Sequence, residues 1–279
     1  MLYVTKADGS KQPFDKQKIV RTCIRMRLTD KQARDVANRV EQAAREGMPT
    51  KKILQLIFSY AQQYRPEVKH LIDLREAISM MCPKPDFEIF VRKLLQEYGY
   101  DTSPAQLING DCVEHEIDGI AKRGNEVIYI EVKHHYQHHT YTGLNICLEA
   151  KATLEDLIAG FGSKNKVRFN RGLVVCNTKF SDHAKQYADC AGVQLLGWNT
   201  PVGAGLETMI EDKKLYPITL LKILDAASEA KLGNNGIVLL KQLVQTDISE
   251  LYRITKIPKP KLKLYQKYAA EILANNNSK

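Results

Sequence analysis

Two acids and a lysine, Asp118, Glu131 and Lys133, fall where a single β-hairpin would bring them onto one face. The arms are residues 116–121 and 127–133, and Gly124-Asn125 between them is a recognised two-residue hairpin loop. With that loop Asp118 lies opposite Glu131, and directly opposed residues have Cβ atoms roughly 4.5–5.5 Å apart. Lys133 shares their face because strand side chains alternate, while Ile117, Ile130 and Val132 face the other way. Like charges set opposite each other repel, so stability alone does not select this pair. A divalent cation removes the repulsion, and Mg²⁺ is commonly held by one or two carboxylates together with a substrate phosphate. The lysine would then orient or deprotonate an attacking water and offset charge on a scissile phosphate. On spacing alone a plain surface hairpin, with Lys133 paired to Glu116 or Glu131, remains open.

The surrounding elements add to the motif. An aspartate, a short hairpin and Glu-X-Lys resemble the core of the PD-(D/E)XK nuclease superfamily, and the flanking sequence resembles its Mrr-like restriction endonuclease branch. A helix over 86–95 carries Glu88 ahead of the hairpin. A buried strand over 172–177, a helix over 181–191 and a strand over 193–198 follow it. The resemblance covers about residues 83–200. It implies an α/β fold, with a mixed central sheet flanked by helices. By the same resemblance Asp118 and Glu131 are metal ligands for Mg²⁺ or Mn²⁺, Lys133 is the catalytic lysine, and Glu88 is an accessory acid. The implied activity is that of a type IV restriction-like endonuclease.

Ahead of this region, Asp8-Gly9 marks a tight turn between short strands, and Asp15 caps a helix bearing Ile19, Val20, Cys23 and Ile24 at helical spacing. Helices are expected over 30–46, 50–64 and 67–81, with Thr50 as an N-cap after the break at Gly47-Met48-Pro49. Val4, Lys6, Asp8, Gly9, Phe14, Asp15, Lys18, Ile19 and Arg21 give residues 1–82 a resemblance to the mostly helical ATP-cone, the nucleotide-binding regulatory domain of ribonucleotide reductases and their repressor. The resemblance implies that Lys6, Lys18 and Arg21 contact a triphosphate, that Thr50 lies near the base, and that Val4 belongs to the binding set. Ala7 departs from the pattern, standing where that family usually has arginine. A cone-like domain that binds no nucleotide and only mediates assembly is the alternative. The repressor itself pairs its cone with a cysteine-rich zinc ribbon, and no C-x-x-C pair occurs here.

After Pro217 the pattern is helical throughout. Two short helices flank 255–261, a turn containing Ile257-Pro258, and resemble a helix-hairpin-helix element in which Lys256, Lys259, Lys261 and Lys263 would face nucleic-acid phosphates. That family's turn glycines are absent, and a solvated basic tail, frayed over 275–279, is the alternative.

Charge divides the chain near the same places. Residues 1–81 hold 16 Lys/Arg against 9 Asp/Glu, residues 82–212 hold 13 against 18, and residues 213–279 hold 12 against 5. Basic segments on either side of an acidic centre suit a polyanionic partner around a cation-dependent site.

The run His134-His135-Tyr136-Gln137-His138-His139 would offer metal ligands at i and i+4 if helical. Directly after the Glu131–Lys133 strand it reads better as a polar loop at the mouth of the site, with a DNA-contacting or proton-transfer role open to His135. Gly160-Phe161-Gly162-Ser163-Lys164 lacks full P-loop spacing. The six scattered cysteines argue against a disulfide framework and for a reducing compartment. With no signal-peptide pattern and no long apolar run, the chain is expected in the cytoplasm, away from membranes.

These observations predict three parts: a nucleotide-binding cone over 1–82, a nuclease domain over 83–212 and a basic helical domain over 213–279. The expected protein is a homo-oligomeric, metal-dependent DNA endonuclease with ATP or dATP as effector rather than fuel. The competing expectation is a nucleotide-responsive DNA-binding or regulatory protein with a non-catalytic nuclease fold.

Overall fold

The structure is a computed structural model and describes residues 2–6, 9–26, 28–65, 68 and 72–274. It divides into two compact units: Met1–Ile72 with Leu221–Ile223 and Leu264–Lys279, and Asp73–Leu220 with Leu224–Lys263.

In the first unit, β1 (Tyr3–Thr5) lies between β2 (Lys11–Pro13), antiparallel to it, and β3 (Met48–Pro49), parallel to it. The helices are α1 (Lys16–Arg25), α2 (Asp30–Ala43) and α3 (Thr50–Ala61). The Asp15 carboxylate caps α1 by accepting from the Gln17 and Lys18 amides, and Thr29 with Gln32 forms a capping box on α2. Apolar residues at helical spacing, including Ile19, Val20, Cys23, Val36, Val40, Ile53 and Ile57, meet Val4 in one core. The segment read as a break at Gly47-Met48-Pro49 supplies the third strand, with Gly47 at positive φ, and Pro49 rather than Thr50 is the N-cap of α3. Ala7 and Asp8, on which the cone comparison turns, lie outside the described residues, as do Glu67 and 275–279.

The second unit opens with α4 (Leu74–Met80), shorter than the helix expected over 67–81. Asp73 fixes its start by accepting from the Arg75 and Glu76 amides, which ends the helical register one residue before Leu74. An irregular turn, Pro83–Phe87, leads into α5 (Glu88–Glu97), so the helix expected over 86–95 begins two residues late. Then come β4 (Asp101–Ser103), β5 (Gln106–Asn109), β6 (Glu114–Ile117), β7 (Gly119–Arg123) and β8 (Glu126–Lys133). The chain continues through β9 (Tyr141–Thr142), α6 (Leu144–Ala159), β10 (Arg171–Cys176), β11 (Lys179–Phe180), α7 (Asp182–Ala191) and β12 (Val193–Leu196). The main sheet has the order β12-β10-β8-β7-β4, antiparallel on the β4 side of β8 and parallel on the β12 side.

The sheet is covered on both faces. Ile120 and Tyr129 join Cys147, Ala150 and Leu154 of α6 and Ala184 and Ala188 of α7 in one core. Gly119 and Ile130 alternate with them, and on that opposite face a Cβ at Gly119 would lie 3.6 Å from Arg92 of α5 and 3.5 Å from Ile130. Phe87, just before α5, and Phe90, Val91, Leu94 and Leu95 on it are buried. The result is an α/β sandwich with a mixed central sheet flanked by helices, the restriction-endonuclease-like architecture expected from the motif order.

Helices α8 (Leu206–Lys213), α9 (Ala226–Gly233), α10 (Leu240–Gln245), α11 (Ile248–Thr255) and α12 (Lys259–Ala274) complete the chain. Lys256 takes the left-handed position (φ 56°) that closes α11, where a glycine would ordinarily serve, and buried Ile257 anchors the turn into α12. Among the described residues no helix is long and apolar enough to cross a membrane.

Phe90 sits wholly inside the α5–sheet layer, whereas Leu148 points outward from α6. Phe90→Ala is expected to lower stability by about 3–5 kcal/mol, against about 0.5 kcal/mol or less for Leu148→Ala. Urea unfolding of the full chain checks the contrast.

Candidate active site at the Asp118 bend

The β7–β8 ladder runs from Arg123↔Glu126 to Gly119↔Ile130, the register expected from a Gly124-Asn125 loop. Continuing it by one pair would set Asp118 against Glu131, but the first arm breaks there. Asp118 still donates its amide to the Ile130 carbonyl (3.2 Å), and β6 leaves the sheet to pair with β5. The Val132 amide, left without a strand partner on that side, donates to Asp118 Oδ2 at 2.7 Å. A carboxylate thus replaces a backbone acceptor, which fixes the Asp118 side chain more firmly than a free rotamer would be. The bend also corrects one expectation. Ile117 does not share a face with Ile130 and Val132 but packs in the core with Ile120 and Tyr129.

The β5–β6 hairpin is held by α6. Asp156 accepts from the Cys112 amide (2.7 Å), the Val113 amide (3.2 Å) and His115 Nε2 (2.7 Å). A Cβ on Gly160 would come within 2.6 Å of the Gly110 carbonyl carbon, so only glycine permits this approach.

The acids gather around this bend. Asp118 and Glu88 are buried, at 6% exposure each, and Glu131 is half-buried. Glu131 Oε2 accepts from the Tyr129 hydroxyl at 2.6 Å. Burial raises the Glu131 carboxyl above its ordinary value, and the Asp118 charge adds to the effect against the Tyr129 hydrogen bond. Burial, followed by Asp118, likewise raises Glu88. Lys133, exposed at the end of β8, makes no ion pair with Glu116 or Glu131 among the described residues. Its charge nevertheless favours the ionised form of Glu131. The plain salt-bridge hairpin is therefore not what forms.

The cation that does pair is one the sequence reading missed. Lys84 Nζ lies 3.0 Å from Glu116 Oε1, 3.2 Å from Asp118 Oδ1 and 3.4 Å from Glu88 Oε1. The last contact lacks hydrogen-bond geometry, so buried Glu88 Oε1 has no donor. Lys84 precedes Glu88 by four residues, a spacing visible in the sequence. Pro83 and Pro85, however, argue against the helix that would give it meaning.

Among the described residues no three His, Cys, Asp or Glu side chains form a ready-made metal cage. The donors fit Mg²⁺ rather than a dedicated cage: hard oxygens, a Glu131 carboxyl made harder to ionise by the Asp118 charge beside it, and an orphaned buried oxygen on Glu88. Asp118 and Glu131 are the residues that would hold the ion.

The histidine run is a loop, so His134 and His138 share no helix face. His134 Nε2 lies 3.0 Å from the Ile78 carbonyl, His138 Nδ1 lies 3.3 Å from Ser79 Oγ, and His135 Nε2 lies 3.1 Å from Thr142 Oγ1. Burial lowers all three from the ordinary histidine value, which favours their neutral forms. Lys164, in the fragmentary phosphate-loop sequence, is taken up by the Asp111 carbonyl and carboxylate.

In the first unit, Lys6, Lys18 and Arg21 are exposed, and the last two share a face of α1 at i, i+3. Arg21 lies 3.8 Å from Asp15. Thr50 is the first residue of α3. The Val4 side chain belongs to the core. Of the C-terminal lysines, Lys256, Lys259 and Lys263 are exposed, but Lys261 pairs with Asp225 at 2.5 Å.

A restriction endonuclease family model of the Mrr catalytic type matches residues 78–200. An ATP cone domain model matches residues 2–77, and an AF1548-like C-terminal domain model matches residues 216–273. An uncharacterized protein of Archaeoglobus fulgidus is 37% identical over 162 residues, covering 58% of this chain and 88% of that protein. The crystal structure of AF1548, described as a protein of unknown function, matches with a TM-score of 0.60 at 33% identity. That match covers 68% of this chain and 97% of that one.

Because the folded state raises the Glu131 carboxyl, it binds that proton more tightly than the unfolded chain. The stability this contributes is present below the ordinary glutamate value and is lost as pH rises through the raised one. Glu131→Gln keeps an acceptor for Tyr129 and removes the titration. In EDTA it is expected to raise the melting temperature over wild type more at pH 8 than at pH 5. Equal shifts at both pH values would contradict the assignment.

Proposed function

The chain belongs to the AF1548-like family, and from that premise we propose that it is a metal-dependent endonuclease hydrolysing phosphodiester bonds of DNA. The observation that carries this reading is the crowding of Glu88, Asp118 and Glu131 in one corner of a restriction-endonuclease-like sheet. Ionised acids brought together under burial need a counter-charge. When bound, a divalent cation supplies that charge, polarises a phosphoryl oxygen and makes a bound water more acidic.

The chain's own residues do the rest. Asp118, pinned by the Val132 amide, and Glu131, pinned by the Tyr129 hydroxyl, are the residues that would hold the cation through their remaining carboxylate oxygens. Such preorganisation avoids reorganisation during reaction. Lys133, exposed beside Glu131, orients the attacking water and offsets negative charge building on the scissile phosphate. Glu88, buried beside Asp118, serves as the accessory acid.

The basic residues outside the acidic centre support a nucleic-acid partner. Lys256, Lys259 and Lys263 are exposed around the α11–α12 turn, where phosphates of either strand can be met without base reading. In the first unit Lys6, Lys18 and Arg21 meet the phosphates of ATP or dATP, with Thr50 near the base, and the nucleotide acts as effector. The chain works in the cytoplasm as a homo-oligomer.

Plasmid cleavage in Mg²⁺ or Mn²⁺ tests the reading. Asp118→Ala and Lys133→Ala are each expected to cost at least about 10²-fold in rate. Undiminished cleavage by both in clean preparations contradicts the assignment. Separately, ATP or dATP is expected to change the wild-type rate, and Lys18→Ala to remove that response while leaving nucleotide-free cleavage intact.

A further inference from the structure

Lys84 is not part of the motif that marks the site, yet its ammonium is the group the acids converge on. Its three carboxylate partners come from separate places: Glu116 from β6, Asp118 from the bend and Glu88 from α5. No other lysine or arginine pairs with any of the three among the described residues. The side chain is 58% exposed and rises from a non-helical residue (φ −126°, ψ 129°) in the turn before α5. It therefore reaches the acids along a flexible four-carbon stem from the solvent side, and nothing in its backbone confines it there.

An ammonium and a divalent cation cannot both sit against Asp118 Oδ1 without strong repulsion. We propose that Lys84 is an internal counter-ion that neutralises the acidic corner in the metal-free protein and is displaced when a divalent cation binds. The inference rests on the cation-site reading above and adds its regulation. A tethered charge stabilises the acidic corner when no cation is bound, and the cation binds in competition with it. The competition weakens cation affinity and makes it depend on what else can receive the released ammonium. A DNA phosphate brought to the site is such an acceptor, so Lys84 couples cation binding to substrate arrival.

The test is calorimetric titration of Mn²⁺ into the full-length protein without nucleic acid, with thermal melting in EDTA and in Mn²⁺. Lys84→Met is expected to bind Mn²⁺ about tenfold more tightly than wild type, since several partly exposed ion pairs no longer compete. It is also expected to melt lower in EDTA and to recover in Mn²⁺. Lys84→Arg keeps the charge and is expected to stay within about threefold of wild type, which separates charge from local damage. Asp118→Ala is expected to lose Mn²⁺ binding. If binding depends on Asp118 but Lys84→Met binds no more tightly than wild type, the counter-ion role is wrong and the cation-site reading stands. If Asp118→Ala binds like wild type, or if no form binds, both fall.

Discussion

The fold keeps carboxylates together that electrostatics would push apart. The β7–β8 register holds Asp118, just before β7, near Glu131 on β8, α5 adds Glu88, and burial makes Glu88 and Glu131 harder to ionise. The covered sheet anchors both strands through Ile120, Tyr129 and Ile130, so the acids cannot relax outward without unpacking the core. Stability here is spent on holding reactive groups in place, a pattern expected where chemistry rather than packing sets the residue types.

The bend at Asp118 turns a regular hairpin into a site. Where the ladder ends, the Asp118 carboxylate takes over as acceptor for the Val132 amide. The outgoing strand then pairs with β5, and that hairpin is secured to α6 through Asp156 and the Gly110–Gly160 approach. A residue well removed in sequence from the acids thus helps decide where Asp118 points. Glu116, carried by the same outgoing strand, is brought to Lys84 as a consequence.

Much of this was legible in the sequence because it is local. Gly124-Asn125 sets the turn, the turn sets the register, and strand alternation places Glu131 and Lys133 on one face. The order of helices and strands around the hairpin gave the architecture. What escaped depends on distant partners. The break at Asp118 needs β5, and the turning of Ile117 into the other core layer follows from it. Asp73 shortens α4 by capping it, competing with an apolar pattern that runs on without interruption. Lys84 was hidden by Pro83 and Pro85, and its role exists only once β6 and α5 have folded together. The histidine run satisfied a metal-binding spacing only under a helical geometry that the loop does not adopt.

The proposed hydrolysis depends on a divalent cation binding at the corner formed by Asp118 and Glu131. That binding is tested most directly by locating Mn²⁺ through its anomalous scattering in crystals of the full chain. A peak is expected within ligand distance, about 2.0–2.3 Å, of oxygens from both Asp118 and Glu131. A fully soaked crystal with no peak there, or with its ion bound instead in the histidine loop, would contradict it.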